Sequence, residues 1–240
     1  MKAKVYIAIL LILLVLVFIY YKYKKRMALN SEFLNGLSTD QKNNIGLIVS
    51  DLKDRGITNK KLQAGILSVV YKESGLIPKR ENLNYTTEGM LRVWPSIFKT
   101  ANDTLPYLKQ PQKLANKVYT RFGNTSFNDG WNYRGGGFNQ LTFKDQYKSF
   151  GKAIGVDLVN KPDLINTPEI ASKVNASYFN GKIKIVFPKI NIDEIPDLDT
   201  ALKIAYDANA GKFNKWQADT TGGYKKAQSV IQDFYNYINQ

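Results

Sequence analysis

Two residue types are missing from this chain: among 240 residues there is no cysteine and no histidine. Without cysteine there is no disulfide, no thiolate nucleophile and no dependence on an oxidising compartment. Without histidine, a Ser-His-Asp triad, a Cys-His dyad and a His-ligated zinc site are all excluded. No metal or cofactor is expected, and any hydrolytic chemistry has to run on carboxylates. Acids are themselves scarce, 20 against 34 Lys and Arg, which gives a formal net charge of +14. Such a balance suits an anionic partner: nucleic acid, anionic lipid or an acidic wall polymer. Beyond residue 26 there is no dense Lys/Arg block and no nucleic-acid motif, so no nucleic-acid partner is expected.

Turning to what is present, Val5 to Tyr21 is an unbroken run of 17 apolar or aromatic residues. As a helix it spans about 26 Å, slightly less than a hydrocarbon core of about 30 Å. Lys2, Lys4, Lys22 and Lys24 are placed to snorkel, and Tyr20, Tyr21 and Tyr23 suit the membrane interface. The run exceeds the apolar stretch of about 7–15 residues in a cleaved signal peptide, and no small-x-small site follows it. The expectation is a single-pass, uncleaved membrane anchor over residues 1–26. Both flanks are basic, so charge does not set its orientation. A tether over 27–39 and one domain over 40–240 follow. Without the first 26 residues the chain keeps 28 cations against 20 acids, a net of +8.

The domain reads as mainly α. Ser38, Thr39 or Asp40 caps a helix over 41–55 that Gly56 ends, and Asn59 caps the next one. Pro78 forces a turn at 77–80, and a further helix runs from about Thr86 to before Pro95. Residues 100–110 read as loop, and 111–121 as helix with Leu114, Val118 and Tyr119 inward. Further helices fall near 144–154, 167–180, 197–208 and 221–238. A short hairpin is expected around 133–142 and a strand near 183–187.

The chemistry starts at Glu73. Leu62, Ile66, Val69 and Val70 mark one helix face, and Glu73 falls on that same face. A carboxylate on an apolar stripe is costly without a partner or a task. Desolvation and the helix C-terminus, which Ser74-Gly75 ends, both favour the protonated form, and a general acid needs that form. Glu81 lies across the turn at Pro78 and offers a second carboxylate. If the two faced a glycosidic bond about 6.5–9.5 Å apart, they would suit inverting hydrolysis, Glu73 as acid and Glu81 activating water. The plainer reading of Glu81 is a surface carboxylate paired with Arg80 or Lys79. Glu88 reads as a first-turn residue.

A second constellation runs from Asn128 to Thr142. Gly135-Gly136-Gly137 lets backbone approach a ligand, Trp131 and Tyr133 suit stacking on sugar faces, and Asn139, Gln140 and Thr142 offer neutral hydrogen bonds. No phosphate-binding motif accompanies the glycines. The structural alternative is a tight turn with the aromatics in the core.

The succession Glu73-Ser74-Gly75, Glu81 to Tyr85, Glu88 to Leu91, Asn128 to Trp131, Tyr133-Arg134-Gly135, Gln140-Leu141-Thr142 and Phe150 to Ala153 resembles glycoside hydrolase family 19. More narrowly it is similar to the endolysin-like branch, over about residues 60–180. The resemblance implies a lysozyme-like, two-lobed helical fold and inverting hydrolysis. It implies Glu73 as the acid, Glu81 as the second carboxylate and Thr142 as the hydroxyl that positions water. Tyr85, Trp131, Tyr133, Arg134, Gln140, Gln146 and Asn209 fall at substrate-binding positions. Lys72 stands where that family usually has His, Gly136 where it has Arg and Gln146 where it has Asn; Lys72, one residue from Glu73 on a helix, is expected to diverge toward water. The function these features imply is a membrane-anchored peptidoglycan hydrolase, of a phage or a host envelope, with its domain facing the wall. A lytic transglycosylase using Glu73 alone, a chitinase and a catalytically silent structural protein of a virus particle stand as alternatives.

Overall fold

The computed structural model describes residues 12–20 and 32–240. Residues 12–20 are helical, and their side chains are exposed throughout, from 52% at Leu13 to 64% at Tyr20. The rest of the apolar run, and residues 21–31 of the expected basic flank and tether, lie outside the described residues. Among the described residues no helix is long and apolar enough to cross a membrane.

From residue 32 onward the chain is built from helices. α1 (Thr39–Asp54) starts at a full capping box, in which Ser38 and Gln41 satisfy each other's backbone amides. α2 (Lys60–Ser74) starts where the Asn59 side chain accepts from the amides of Lys61 and Leu62, and it ends at Gly75 in the left-handed region. α3 (Thr87–Val93) is capped by Thr86 and stops before Pro95. A short α4 (Ala101–Thr104) and a 3-10 turn (Leu105–Tyr107) follow, then α5 (Pro111–Val118) and a single-turn α6 (Asp129–Asn132). α7 (Lys144–Ile154), α8 (Pro168–Val186), α9 (Leu198–Ala210), α10 (Gly223–Gln228) and α11 (Ile231–Tyr237) complete the order.

Several expectations need correction. The segment 100–110 is helical in its first half, because Thr100 and Asp103 form a capping box. The hairpin around 133–142 reduces to one isolated antiparallel bridge between Gly136 and Leu141. The strand near 183–187 is the last turn of α8. Ile183 is buried on the helix face that meets the core, Ile185 is 72% exposed, and the helix stops only where Phe187 precedes Pro188. The helix over 221–238 is two helices, broken at Ser229 and Val230, which keeps Ala227, Val230, Ile231 and Phe234 all buried.

Three buried clusters organise the domain. The largest gathers α1, α2, α8, α9, α10 and α11, with α2 packed against α9, α10 and α11. Phe33, Leu34 and Leu37, from the segment expected as tether, pack onto this cluster, with Phe33 edge-on to both Tyr71 and Phe234. A smaller cluster of Leu83, Met90, Phe98, Leu114, Ala115 and Val118 holds α3 and α5 together. The third, around Tyr133, Leu141, Tyr147, Leu158, Ile165 and Val174, underlies the glycine-rich segment. Every residue of α2 from Leu62 to Val70 is buried, so this helix has no apolar stripe and is instead enclosed all round. Two of its polar members donate within the core, Gln63 Nε2 to the Ile57 carbonyl and Ser68 to the Ala64 carbonyl, while Gln63 Oε1 is buried without a partner among the described residues. The first place where α2 meets solvent at its C-terminal end is the turn that carries Glu73.

Candidate active site

Glu73 sits one residue before the end of α2, and its side chain is 29% exposed. Its Oε1 accepts from two donors, Lys72 Nζ at 2.8 Å and Asn209 Nδ2 at 2.9 Å. Oε2 has no hydrogen-bond partner among the described residues. The Lys72 contact overturns the expectation that this side chain points to water. Helical geometry separates the two Cβ directions, but the ammonium rides on a four-carbon stem and bends back. Here that stem lies beside Gly223, and Nζ is 5.6 Å from the centre of the Tyr206 ring. Asn209 is placed by α9, and its carbonyl accepts from Tyr178 Oη at 2.7 Å. Burial, with the Glu73 charge adding to it, pushes the Tyr178 hydroxyl up to about 12, and the same two causes, with Asp219 between them in size, push Tyr206 up.

The chain then leaves α2 through Gly75 and Leu76, both in the left-handed region, and is pinned as it goes. Gln41 donates to the Gly75 carbonyl and Asn44 to the Leu76 carbonyl, both at 2.8 Å. Gln140 donates to the Lys79 carbonyl at 2.9 Å, and the Glu81 amide donates to the Gly135 carbonyl at 2.8 Å. Arg80 turns away from Glu81: it donates to Asp163 Oδ1 at 2.8 Å, to the Arg134 carbonyl at 3.1 Å and to Tyr147 Oη. The partner of Glu81 is Tyr119, whose hydroxyl donates to Oε2 at 2.7 Å. Burial first, and the Glu81 charge next, push the Tyr119 hydroxyl far up, so it stays a donor at any working pH. Tyr85 lies close enough to feel the same charge, which adds to burial in raising its hydroxyl.

The glycine-rich segment closes this side of the site. The three glycines make room for the protein's own groups. A Cβ on Gly135 would lie 3.1 Å from Glu81 Cβ, and one on Gly136 would lie 2.7 Å from Ile165 Cγ2 and 2.8 Å from Tyr147 Oη. Gln140 takes a left-handed backbone, and its carbonyl accepts from Thr142 Oγ1 at 3.0 Å. Trp131 is half-buried, with one indole face covered by the Arg134 guanidinium at 3.5 Å. Tyr133 is 4% exposed and donates to the Val159 carbonyl, which places it in the core. Gln146 is exposed on α7. Asp129 is buried; burial pushes its carboxyl up, but the Ser126 and Thr125 amides and Lys144 outweigh burial, and the group sits below the usual range.

The structure thus gathers Glu73 with Asn209, and Glu81 with Tyr85, Gly135 and the Gln140–Thr142 turn. Sequence reasoning missed four groups, Lys72 as an ion-pair partner, Tyr119, Tyr178 and Tyr206. Tyr119 was assigned to the core by its helical spacing; only its contact with Glu81 reveals its hydroxyl. The arrangement offers one carboxyl anchored through one oxygen and a second carboxyl ordered by a neutral donor, a pair of the kind general acid and base chemistry uses.

The profile of the family described as chitinase class I matches residues 105–188, a span that includes the glycine-rich segment and Tyr119. A 50-residue stretch is 46% identical to the basic endochitinase of Vitis vinifera and another match is 44% identical to an endochitinase of Phaseolus vulgaris. Each covers 21% of this chain, but only 16% and 15% of the plant proteins. A glycosyl hydrolase family 19 domain-containing protein of Haemophilus influenzae is 33% identical over 136 residues, 55% of this chain. That match runs along 68% of the Haemophilus protein, far more than a shared motif, and the chain therefore belongs to glycosyl hydrolase family 19 and is a glycoside hydrolase.

Proposed function

We propose that this glycoside hydrolase is a membrane-anchored, endolysin-type enzyme that cuts the glycan strands of peptidoglycan by inversion. The observation that carries the reading is the asymmetric hold on Glu73. With Oε1 accepting from Lys72 and Asn209, Oε2 is the oxygen left to carry a proton for the leaving glycosidic oxygen. As the C1–O bond breaks, that proton passes to the oxygen; water attacks C1 from the opposite face and Glu81 takes its proton. Thr142, ordered on the Gln140 carbonyl, and Gln140 itself serve to position water and sugar. Tyr85, Trp131, Arg134, Gln146 and Asn209 are proposed as substrate contacts. The contribution of Tyr133 would be to brace this wall from the core, where its hydroxyl is already engaged.

The net charge of +14 and the exposed apolar helix at 12–20 support an anionic wall substrate and a membrane tether, with the catalytic domain facing the wall of a phage-infected or host cell. The stretch resembling plant endochitinases favours chitin as a second reading of the same site. The test is zymography of the full chain over bacterial walls from several species and over chitin, beside Glu73→Gln. Clearing of walls by the unmutated chain alone, with new reducing ends, is expected. Anhydro-muropeptides would replace inversion with a transglycosylase reaction, and clearing of chitin alone would replace the substrate. No clearing on either polymer would sink the proposal.

A further inference from the structure

We infer that Lys72 is a positioning residue that holds Glu73 for proton transfer, and that the empty side-chain position at Gly223 is what lets it do so. The inference rests on Glu73 being the acid. A glutamate at the end of a helix has three rotatable bonds, and one 2.9 Å hydrogen bond from Asn209 leaves the carboxyl free to pivot about Oε1. Lys72 supplies a second donor on the same oxygen, at 2.8 Å. Two donors on one oxygen fix the plane of the group and dedicate the other oxygen to the substrate. When the proton leaves Oε2, negative charge develops on the carboxylate, and the ammonium is already in place to stabilise it.

Lys72 is itself held. Its side chain is only 24% exposed, its Nζ lies against the Tyr206 ring, and its stem runs beside the first residue of α10. A Cβ built on Gly223 would stand 2.6 Å from Lys72 Cε, 3.3 Å from its Nζ and 3.0 Å from Tyr206 Oη. Gly223 is not among the residues with positive φ, and it opens a helix, so its backbone accepts alanine. What an added methyl meets most closely is Cε of the flexible Lys72 side chain, which moves aside, while Tyr206 Oη at 3.0 Å has to give by a few tenths of an ångström. Lys72 would leave Glu73 while the fold stays intact. The segment around α10, far from the acid in sequence, thereby sets the geometry of the acid.

The test is a double-mutant cycle on the full chain, using whichever glycan the unmutated enzyme turns over, with melting temperatures measured alongside. Lys72→Ala is expected to lower kcat by about ten- to a hundredfold with KM within about twofold, the span of one charge-assisted hydrogen bond to a reacting group. Gly223→Ala is expected to lower kcat in the same way, and to add nothing further in the Lys72→Ala background. Gly181→Ala on α8, where a Cβ meets nothing within 4 Å, is expected to leave kcat unchanged. Full kcat in Lys72→Ala beside an inactive Glu73→Gln would overturn the role of Lys72 alone. Effects of Lys72→Ala and Gly223→Ala that multiply in full would overturn the link through Gly223. An active Glu73→Gln would overturn the acid assignment and the role of Lys72 with it.

Discussion

Gly65 and Gly46 present the same substitution in two settings, and the difference tests how the site is held. Gly46 is exposed in α1 with nothing within 4 Å of an added Cβ, and its φ is ordinary. Alanine there gains helix propensity and restricts the unfolded chain, worth about 0.5–1 kcal/mol. At about 2–4 °C per kcal/mol for a chain this size, the melting temperature should rise by about 1–4 °C. Gly65 is in α2, and its Cβ would stand 2.8 Å from the carbonyl oxygen of Ala201, 3.0 Å from its carbon and 3.2 Å from Leu202 N. These are backbone atoms of α9, and no rotamer change relieves them. Overpacking of this kind costs about 1–3 kcal/mol, toward the upper end where the partner cannot rotate away. After the propensity gain, Gly65→Ala should lose about 1–2 kcal/mol and about 2–8 °C.

The consequence reaches Glu73. Gly65 meets Ala201 and, eight residues later on both helices, Glu73 meets Asn209. The two helices therefore run side by side in the same direction, and the contacts are about 12 Å apart along them. A wedge at the first contact shifts the second, where a 2.9 Å hydrogen bond has little slack. Gly65→Ala should lower kcat as well as stability, while Gly46→Ala raises stability and leaves kcat alone. Thermal melts followed by circular dichroism, with turnover measured well below the transition, read both effects. If Gly65→Ala raises the melting temperature as Gly46→Ala does, the close approach of α2 and α9 is wrong.

Two further outcomes follow from groups whose hydrogen bonds only the structure shows. Tyr119→Phe keeps the ring that packs edge-on to Phe143 at 5.5 Å but removes the hydroxyl on Glu81. Turnover should fall by about tenfold with the melting temperature nearly unchanged; unchanged turnover beside an inactive Glu81→Gln would show that the hydroxyl does not order the base. Asp129 has a carboxyl held below its ordinary range, so the stability it gives is present above the unfolded value of about 3.9 and fades as pH falls through the folded value. Asp129→Asn should melt lower at pH 7, with the deficit shrinking below about pH 4; a deficit that does not change with pH would mean the charge is not what matters.

Local signals were enough for most of the helices. Asn59, Thr86 and Gly75 do in the structure what their types announce, and α7 ends at Ile154, where Gly155 takes the left-handed conformation. The failures share one cause, packing that no window of sequence contains. Residues 183–187 hold three β-branched residues and a phenylalanine, the composition of a short strand, yet the segment continues α8 as far as Val186 because Ile183 completes that helix's buried face. The glycine triplet reads as a cradle for a ligand, but its neighbours are Glu81, Tyr147 and Ile165, residues from distant parts of the chain.

At Glu73 the helical period and the packing give different reasons for interest. Periodicity places it on an apolar stripe, where a carboxylate needs a partner or a task. In the structure α2 is enclosed all round from Leu62 to Val70, so no stripe singles out position 73. Glu73 and Lys72 matter because Gly75 ends a buried helix just beyond them, and their turn reaches solvent. A helical wheel gives the direction of each Cβ and nothing about where a long side chain ends. The wheel therefore sent Lys72 outward, although its four-carbon stem lets the ammonium return to the neighbouring carboxylate once Gly223 leaves the space. The setting of Glu73 is thus defined less by its own helix than by α9 and α10, which deliver Asn209 and the vacancy for Lys72, and no reading confined to the Glu73 segment contains either.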